Sequence, residues 1–470
     1  MTSVAHDGPS TATERPERVL MKGNEAIAEA AIQAGCDAYF GYPITPQAEL
    51  LEWMARRMPE EGRAFIQAES ELAAINMALG AAATGSRVLV SSSSPGISLM
   101  AEAMSYMAAS ELPVVLVNVM RGGPGLGSIG PSQADYLQAT KGHGHGDYRT
   151  PVLAPASIGE AMALVADAFE LAERYRTPVM ILADGILGQA MEPVTPAYRC
   201  PPRLPADWAV EGAAGRPPRI VRSLHLKPEA LEAHNRHLQA KYAVIIRDEV
   251  RWVGEQLDDA ELVIVAYGTA ARVARTTLDR AREAGLRVGL FRPITLWPFP
   301  EQQLRTIAER CRGILALELA AGQLLDDVRL AVEGRAPVAH LGRTGGMVPS
   351  PGEVLTALRH LFAVTEPRAR EGPRTVEPDR RGRPGAAAGD PAGWLAEPDP
   401  ISLVEDGALA EAWATTSRSA GPEPLGPPGP EDEADPPGLI ADADWDAFVR
   451  DAGRRLAPAA RADTPKEVEP

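Results

Sequence analysis

Cysteine is scarce: Cys36, Cys200 and Cys311 are the only three in 470 residues, and no two lie at metal-ligand spacing. A disulfide framework is not expected. An iron–sulfur cluster, which usually takes four thiolates, cannot be held by this chain alone. Aromatic residues make up only 5%. Positive charge is outweighed, with 47 Lys and Arg against 63 Asp and Glu and a net charge of -16. That balance argues against nucleic acid or an anionic membrane as a partner. No apolar run reaches the ~20 residues of a membrane span. Residues 1–17 lack the charged-then-apolar pattern of a signal peptide, so a cytoplasmic location is expected. A Walker loop, a GxSxG elbow, an HExxH helix and a CxxC pair are all absent.

What is present is globular sequence with many turns: 45% apolar residues, 43 Gly and 43 Pro. Such a length exceeds one core. Short apolar runs alternate with helical patterns, which predicts an α/β fold of two doubly wound, mostly parallel-sheet domains. Residues 1–17 are expected to be loose. The first domain spans 18–195, an interdomain connection with one helix spans 196–240, and the second domain spans 241–365. The tail, 366–470, holds 22 acidic and 12 basic residues and 17 prolines, a composition that predicts disorder. Within it Trp445, Phe448, Val449, Ala452 and Leu456 fall on one face of a helix over 444–456, suited to packing on the chain's own body or to docking a partner.

The stretch Tyr42-Pro43-Ile44-Thr45-Pro46 follows a strand (Ala38 to Phe40) and precedes a helix (Gln47 to Met58). In an open α/β sheet ligands bind at such strand ends. Thr45 as N-cap and Pro46 as first helical residue would leave free N–H groups that attract an anion. Thr45 either caps only or hydrogen-bonds a ligand carboxylate. Glu69 and Glu71, around Ser70, either complement a helix dipole or include a partly buried carboxylate that meets a heterocycle nitrogen. Arg121 directly follows a buried strand and opens the run Gly122-Gly123-Pro124-Gly125-Leu126-Gly127. A guanidinium there suits bidentate binding of a carboxylate, the alternative being a surface salt bridge. His143 and His145 lie in a glycine-rich loop and lack a third metal ligand nearby, which favours a closing or docking loop over a metal site. Glu318 ends a buried strand and has no readable function beyond capping a neighbour.

Four segments together resemble the alpha subunit of 2-oxoacid:ferredoxin oxidoreductases. They are Gly41 to Pro46, Gln67-Ala68-Glu69-Ser70-Glu71, Met120 to Gly127, and His145-Gly146-Asp147-Tyr148-Arg149-Thr150. The resemblance runs from about residue 18 to 362 and includes Phe291 to Pro298, with 366–470 outside it. It implies a thiamine diphosphate enzyme that oxidatively decarboxylates a 2-oxoacid, passes electrons to ferredoxin through iron–sulfur clusters and transfers the acyl group to coenzyme A. It makes the first domain the pyrimidine-binding half and the second a transketolase C-terminal-like domain. By the same resemblance Glu71 matches the glutamate that contacts the aminopyrimidine, and Thr45 and Arg121 match positions that hold the substrate carboxylate.

The chain lacks the Gly-Asp-Gly-type metal motif of the diphosphate half. The resemblance therefore implies a beta subunit that carries the magnesium and diphosphate site, with iron–sulfur clusters on partner subunits, among them possible gamma and ferredoxin-like chains. The Gly-Pro-Gly-Leu-Gly loop resembles the branched-chain type, with 2-oxoglutarate or pyruvate as alternatives. A non-catalytic scaffold and the beta-type subunit of a lipoamide-linked 2-oxoacid dehydrogenase are the competing readings.

Overall fold

Alternation of side chains along the strands decides the first sheet. In Ala38–Gly41, Ala38 and Phe40 point into one apolar cluster while Tyr39 points into another, and Val88–Ser92 and Val115–Met120 divide the same way. Strands buried on both faces need helices on both faces. Helices Gly23–Gln33, Ala48–Glu60 and Ile158–Tyr175 cover one side, and Glu71–Ala83 and Ser94–Ala109 the other. In Ala48–Glu60 the stripe Leu50, Leu51, Met54 and Met58 is buried, at roughly 1.5–3 kcal/mol per side chain.

This computed structural model describes residues 18–142, 144–195 and 200–365. The expectations for residues 1–17, His143, the 366–470 tail and its 444–456 helix lie outside the described residues.

Among the described residues the first sheet has seven strands. Their order is Thr295–Trp297, Val152–Leu153, Val179–Asp184, Val115–Met120, Val88–Ser92, Ala38–Gly41 and Ala64–Gln67. All neighbours are parallel except the first pair. The second sheet has five strands, ordered Val338–Gly342, Gly313–Glu318, Leu262–Val265, Val288–Pro293 and Trp252–Glu255, with only the last antiparallel. The fold is α/β with two parallel-rich sheets, as the alternating pattern predicts.

Several elements differ from the expectations. Asn24, a residue type suited to capping, does not cap the Gly23–Gln33 helix; Lys22 holds the N-cap position and Asn24 lies buried in the first turn. The glycine-rich 122–146 stretch contains a short helix, Tyr136–Lys141. Met191–Val194 is a strand paired with Val19–Lys22. Helices Gln323–Val332 and Pro351–Val364 and the strands Trp252–Glu255 and Val338–Gly342 were not among the expected elements, although Pro351–Val364 opens on a Ser350–Glu353 capping box with Pro351 at its first position. The two outer strands are only half buried, so their apolar alternation is weak.

The Phe291 to Pro298 segment joins the two sheets. Val288–Pro293 belongs to the second sheet, and two residues later Thr295–Trp297 pairs with Val152–Leu153 of the first. Arg292 donates to both carboxylate oxygens of Glu160 at 3.0 and 2.9 Å. Buried Asp184 accepts from Thr269 Oγ1 at 2.8 Å, and Gln133 bonds Tyr267 and Leu319. Burial pushes the Asp184 carboxyl above its usual range. These contacts hold the rim of the first sheet against the second.

Candidate active site

The strand ends that carry the predicted residues lie on one rim of the first sheet. Thr45 follows Ala38–Gly41, Glu71 follows Ala64–Gln67, and Arg121 follows Val115–Met120.

Thr45 does not cap the following helix. Gln47 N donates to Ile44 O at 3.1 Å, which closes a turn over Thr45 and Pro46, and the helix starts at Ala48 with Gln47 at the N-cap. The Thr45-Pro46 peptide is cis. Nor is the helix start open to an outside anion. The Glu49 carboxylate sits there and accepts from Lys22 at 2.9 Å, Asn24 at 3.0 Å and Gln189 at 2.8 Å. Burial opposes ionisation of Glu49, but Lys22, the backbone N–H, Asn24 and Gln189 outweigh it and bring its pKa to about 2. Asn24 and Gln189 also donate to Pro46 O, at 2.7 and 3.1 Å, which fixes the turn. The Thr45 side chain is exposed, and its hydroxyl has no hydrogen bond among the described residues.

Arg121 is 7% exposed and forms no ion pair among the described residues. The surface salt bridge weighed above is therefore not what it makes. Its two terminal nitrogens donate to Thr45 O at 3.0 Å and Leu126 O at 3.1 Å, and Nε is buried without a partner. Carbonyl dipoles hold the guanidinium in place without cancelling its charge, so it is poised for an anion. The glycine loop supplies that geometry. Gly127 has φ +62°, and a Cβ there would lie 1.7 Å from Gly122 O, so the chain can fold back on Arg121 only with glycine.

Glu71 opens the Glu71–Ala83 helix, which Ser70 caps by accepting from Ala73 N at 3.2 Å. Glu69 is exposed, whereas Glu71 is 6% exposed and has no hydrogen-bond partner among the described residues. Beside it lies the start of Ser94–Ala109. A Cβ on Gly96 would sit 2.0 Å from Ser92 Oγ and 2.7 Å from Glu71 Oε1. Ser92 Oγ and Ser93 Oγ are buried without partners. Ser94 continues the line: its hydroxyl accepts from Arg121 N at 3.0 Å and donates to Asp135 at 2.6 Å. Thus Thr45 touches Arg121 directly, through its carbonyl, and Glu71 joins them through the 92–96 turn. Sequence reading passed over Ser92, Ser93 and Gly96. The serine run at a strand end was the available signal, but nothing in it distinguishes solvated from buried hydroxyls.

A cavity of about 660 Å³ opens at this rim, lined by Ser94, Pro95, Gly123 and Asp135 from the first domain and by Gln323 and Thr344 from the second. Glu318 does cap a neighbour: it accepts from Leu324 N and Leu325 N at 3.0 and 3.2 Å and lies 3.2 Å from His340. His145 is exposed, and no group of three His, Cys, Asp or Glu side chains among the described residues is placed to hold a metal. No helix among the described residues is long and apolar enough to cross a membrane.

On one rim, a buried carboxylate with no hydrogen-bond partner and a buried guanidinium with no counter-charge, both among the described residues, suit a ligand with a protonatable heterocycle and an anionic substrate. Comparison with known proteins bears on which. Residues 29–210 match the thiamine-diphosphate-binding domain of pyruvate flavodoxin/ferredoxin oxidoreductases, and residues 260–354 match pyruvate:ferredoxin oxidoreductase core domain II. The chain is 48% identical over 343 residues to ketoisovalerate oxidoreductase subunit VorB of Methanothermobacter marburgensis, covering 73% of this chain and 97% of that one. This chain belongs to the 2-oxoacid:ferredoxin oxidoreductase family. A second member, 2-oxoglutarate synthase subunit KorA of Methanothermobacter thermautotrophicus, is 37% identical over 371 residues, covering 73% of this chain and 98% of that one. Among solved structures, the 2-oxoglutarate:ferredoxin oxidoreductase of Magnetococcus marinus aligns with a TM-score of 0.67 at 25% identity, over 74% of this chain and 66% of that chain, just under two thirds of its length. The family's thiamine-diphosphate-binding domain thus contains Thr45, Glu71 and Arg121.

Proposed function

We propose that this chain is the pyrimidine-binding subunit of a branched-chain 2-oxoacid:ferredoxin oxidoreductase that forms an acyl-CoA and carbon dioxide. The observation that carries the reading is the buried pair Glu71 and Arg121, neither in an ion pair among the described residues, on one rim of a thiamine-diphosphate-binding domain. The preference for a branched substrate rests on 48% identity to a ketoisovalerate oxidoreductase subunit against 37% to a 2-oxoglutarate synthase subunit. In this reading residues 18–195 bind the pyrimidine, 196–240 connect, and 241–365 form the transketolase C-terminal-like domain.

The residues present suit the cofactor. Gly96 leaves open the space beside Glu71 that a Cβ would fill, and Ser92 and Ser93 carry buried hydroxyls in need of partners. When bound, thiamine diphosphate supplies the carbon nucleophile and the electron sink for decarboxylation. Glu71 would meet the ring nitrogen N1′ of the aminopyrimidine, a role that suits a carboxylate shielded from water. Arg121 grips the substrate carboxylate through its guanidinium. The Thr45 hydroxyl, freed from capping, donates a second hydrogen bond to it. Loss of carbon dioxide removes the charge that Arg121 binds, so the clamp orients the substrate without holding the product. The 660 Å³ cavity gives coenzyme A a route to the rim.

A beta subunit carrying magnesium and the diphosphate site completes this half-site, and iron–sulfur clusters on beta or smaller subunits pass electrons to ferredoxin. The test is Glu71→Ala in the reconstituted complex. Turnover of 2-oxoisovalerate, read by viologen reduction, is expected to fall by about 100-fold or more. Unchanged turnover would favour the scaffold reading.

A further inference from the structure

Away from the rim, the 200–227 segment and the Pro228–Asp248 helix fold against the ends of the Glu71–Ala83 and Ser94–Ala109 helices. Val210 N donates to Ala83 O at 2.7 Å, and His234 Nε2 lies 2.7 Å from Ala109 O. The Ser94–Ala109 helix has 16 residues, so at ~1.5 Å per residue this end is about 24 Å from Ser94. A cavity of about 390 Å³ lies here, lined by Arg176, Trp208, Arg219, Arg222, His225 and His234. It is of a size for a small ligand.

The charges in it do not balance. Glu111 Oε1 also borders the cavity but is already paired with His237 and Lys241, each at 3.0 Å. Exposed Asp207, near Arg176, forms no ion pair among the described residues. Arg176 Nε donates to Glu111 O at 3.1 Å and its guanidinium stacks 4.5 Å from the Trp208 ring centre, while its terminal nitrogens have no acceptor among the described residues. Arg219 is held by the carbonyls of Ala206 and Ala209, at 3.5 and 3.0 Å. Arg222 makes no hydrogen bond or ion pair among the described residues. All three arginines thus line one cavity, and none of them has an ion pair among the described residues. His225 stacks on His234 at 4.9 Å, and His237 lies 6.2 Å beyond. His234 Nε2 must carry its proton to meet Ala109 O, so Nδ1 is the nitrogen left for a ligand or a second proton. Two stacked imidazolium rings would repel unless an anion lay between them and the arginines.

We propose that this cavity binds a dianionic oxyanion, either inorganic phosphate or the phosphate of a small ester, through Arg176, Arg219, Arg222 and the His225–His234 pair. Bound there, the anion joins the connecting segment to the ends of two first-domain helices, far from the catalytic rim. A metal is a poor fit, because Nε2 of both His234 and His237 is already engaged. Burial, His234 and Arg222 push His225 below its ordinary value of 6.5, so an anion that neutralises Arg222 should draw a proton onto the His225 ring.

The test is calorimetric titration of the full chain with inorganic phosphate, adenosine 5′-monophosphate and sulfate in 150 mM chloride. Phosphate is expected to bind with a dissociation constant of about 1 mM or tighter, and Arg219→Gln/Arg222→Gln to weaken it about tenfold. Arg222→Gln alone, at an exposed side chain with no hydrogen bond or ion pair among the described residues, should weaken it in the same direction with an unchanged Tm. Tenfold tighter binding of the nucleotide identifies an ester site, and equal binding a free phosphate site. Sulfate, dianionic throughout, should bind at least about threefold tighter at pH 6 than at pH 8. Absence of saturable binding, or equal affinity in both variants, would overturn the site. A sulfate affinity indifferent to pH would overturn the role of the histidines.

Discussion

Arg121 offers the most searching test of the catalytic reading. The change is Arg121→Met, which keeps much of the side-chain volume and removes the charge. Three contributions can be separated. The guanidinium makes two hydrogen bonds to carbonyls, at 3.0 and 3.1 Å, which hold the 42–46 turn and the glycine loop together. Each such charged bond contributes about 1.5–3 kcal/mol, against the several kcal/mol that burying an unpaired charge costs. These terms oppose one another, so the net change in stability should be within about 1–2 kcal/mol, a Tm shift of a few degrees. The third contribution appears only with substrate. A bidentate guanidinium–carboxylate contact in a shielded site is worth about 3 kcal/mol, hence about 100-fold in kcat/KM for the 2-oxoacid. The assay is 2-oxoisovalerate-dependent viologen reduction by the reconstituted complex, with Tm measured on the same preparation. Arg121→Lys, which keeps the charge but cannot span both carbonyls and a carboxylate, should recover part of the loss. Unchanged kcat/KM in Arg121→Met would refute the clamp. So would a large fall in Tm that accounts for the lost activity.

Other outcomes follow from the same geometry. Gly96→Ala drives a Cβ to 2.0 Å from Ser92 Oγ and 2.7 Å from Glu71 Oε1; it should cost about 1–3 kcal/mol and weaken thiamine diphosphate binding, measured by melting and by cofactor titration. Purified alone, the chain should show no 2-oxoacid-dependent dye reduction, and activity without a second subunit would remove the divided-site reading. Glu49 titrates near 2 when folded, below its ordinary 4.5, so its contribution is present above about 4.5 and is lost as pH falls towards 2. The Tm difference between the native chain and Glu49→Gln should therefore close over that window, and a constant difference would mean that the carboxylate charge is not what holds the Pro46 turn.

Much of the fold was legible because its signals are local. Val115–Met120 is apolar apart from Asn118, Gly313–Glu318 is apolar up to its last residue, and Ile158–Tyr175 has a serine cap and a clear stripe. Trp252–Glu255 and Val338–Gly342 were not legible. Edge strands are half solvated, and their assignment depends on a neighbour distant in sequence. The Thr45 cap failed for a related reason. Thr-Pro before an apolar stripe is a good local cap signal, but Asn24, Gln189 and Glu49 draw the Pro46 carbonyl and the helix start into a different arrangement.

By itself the sequence determined the α/β class, the strand ends that would bear ligands, the candidates Thr45, Glu71 and Arg121, and a family resemblance that relatives bear out. These follow from periodicity, turn chemistry and motifs, which are properties of neighbours in the chain. Only the tertiary structure decided that Arg121 is buried with no ion pair among the described residues, that Glu71 rather than Glu69 turns inward, and that Gly96 and two buried serines border Glu71. Burial and unmet hydrogen bonds depend on what packs from far along the chain, and no local pattern encodes that.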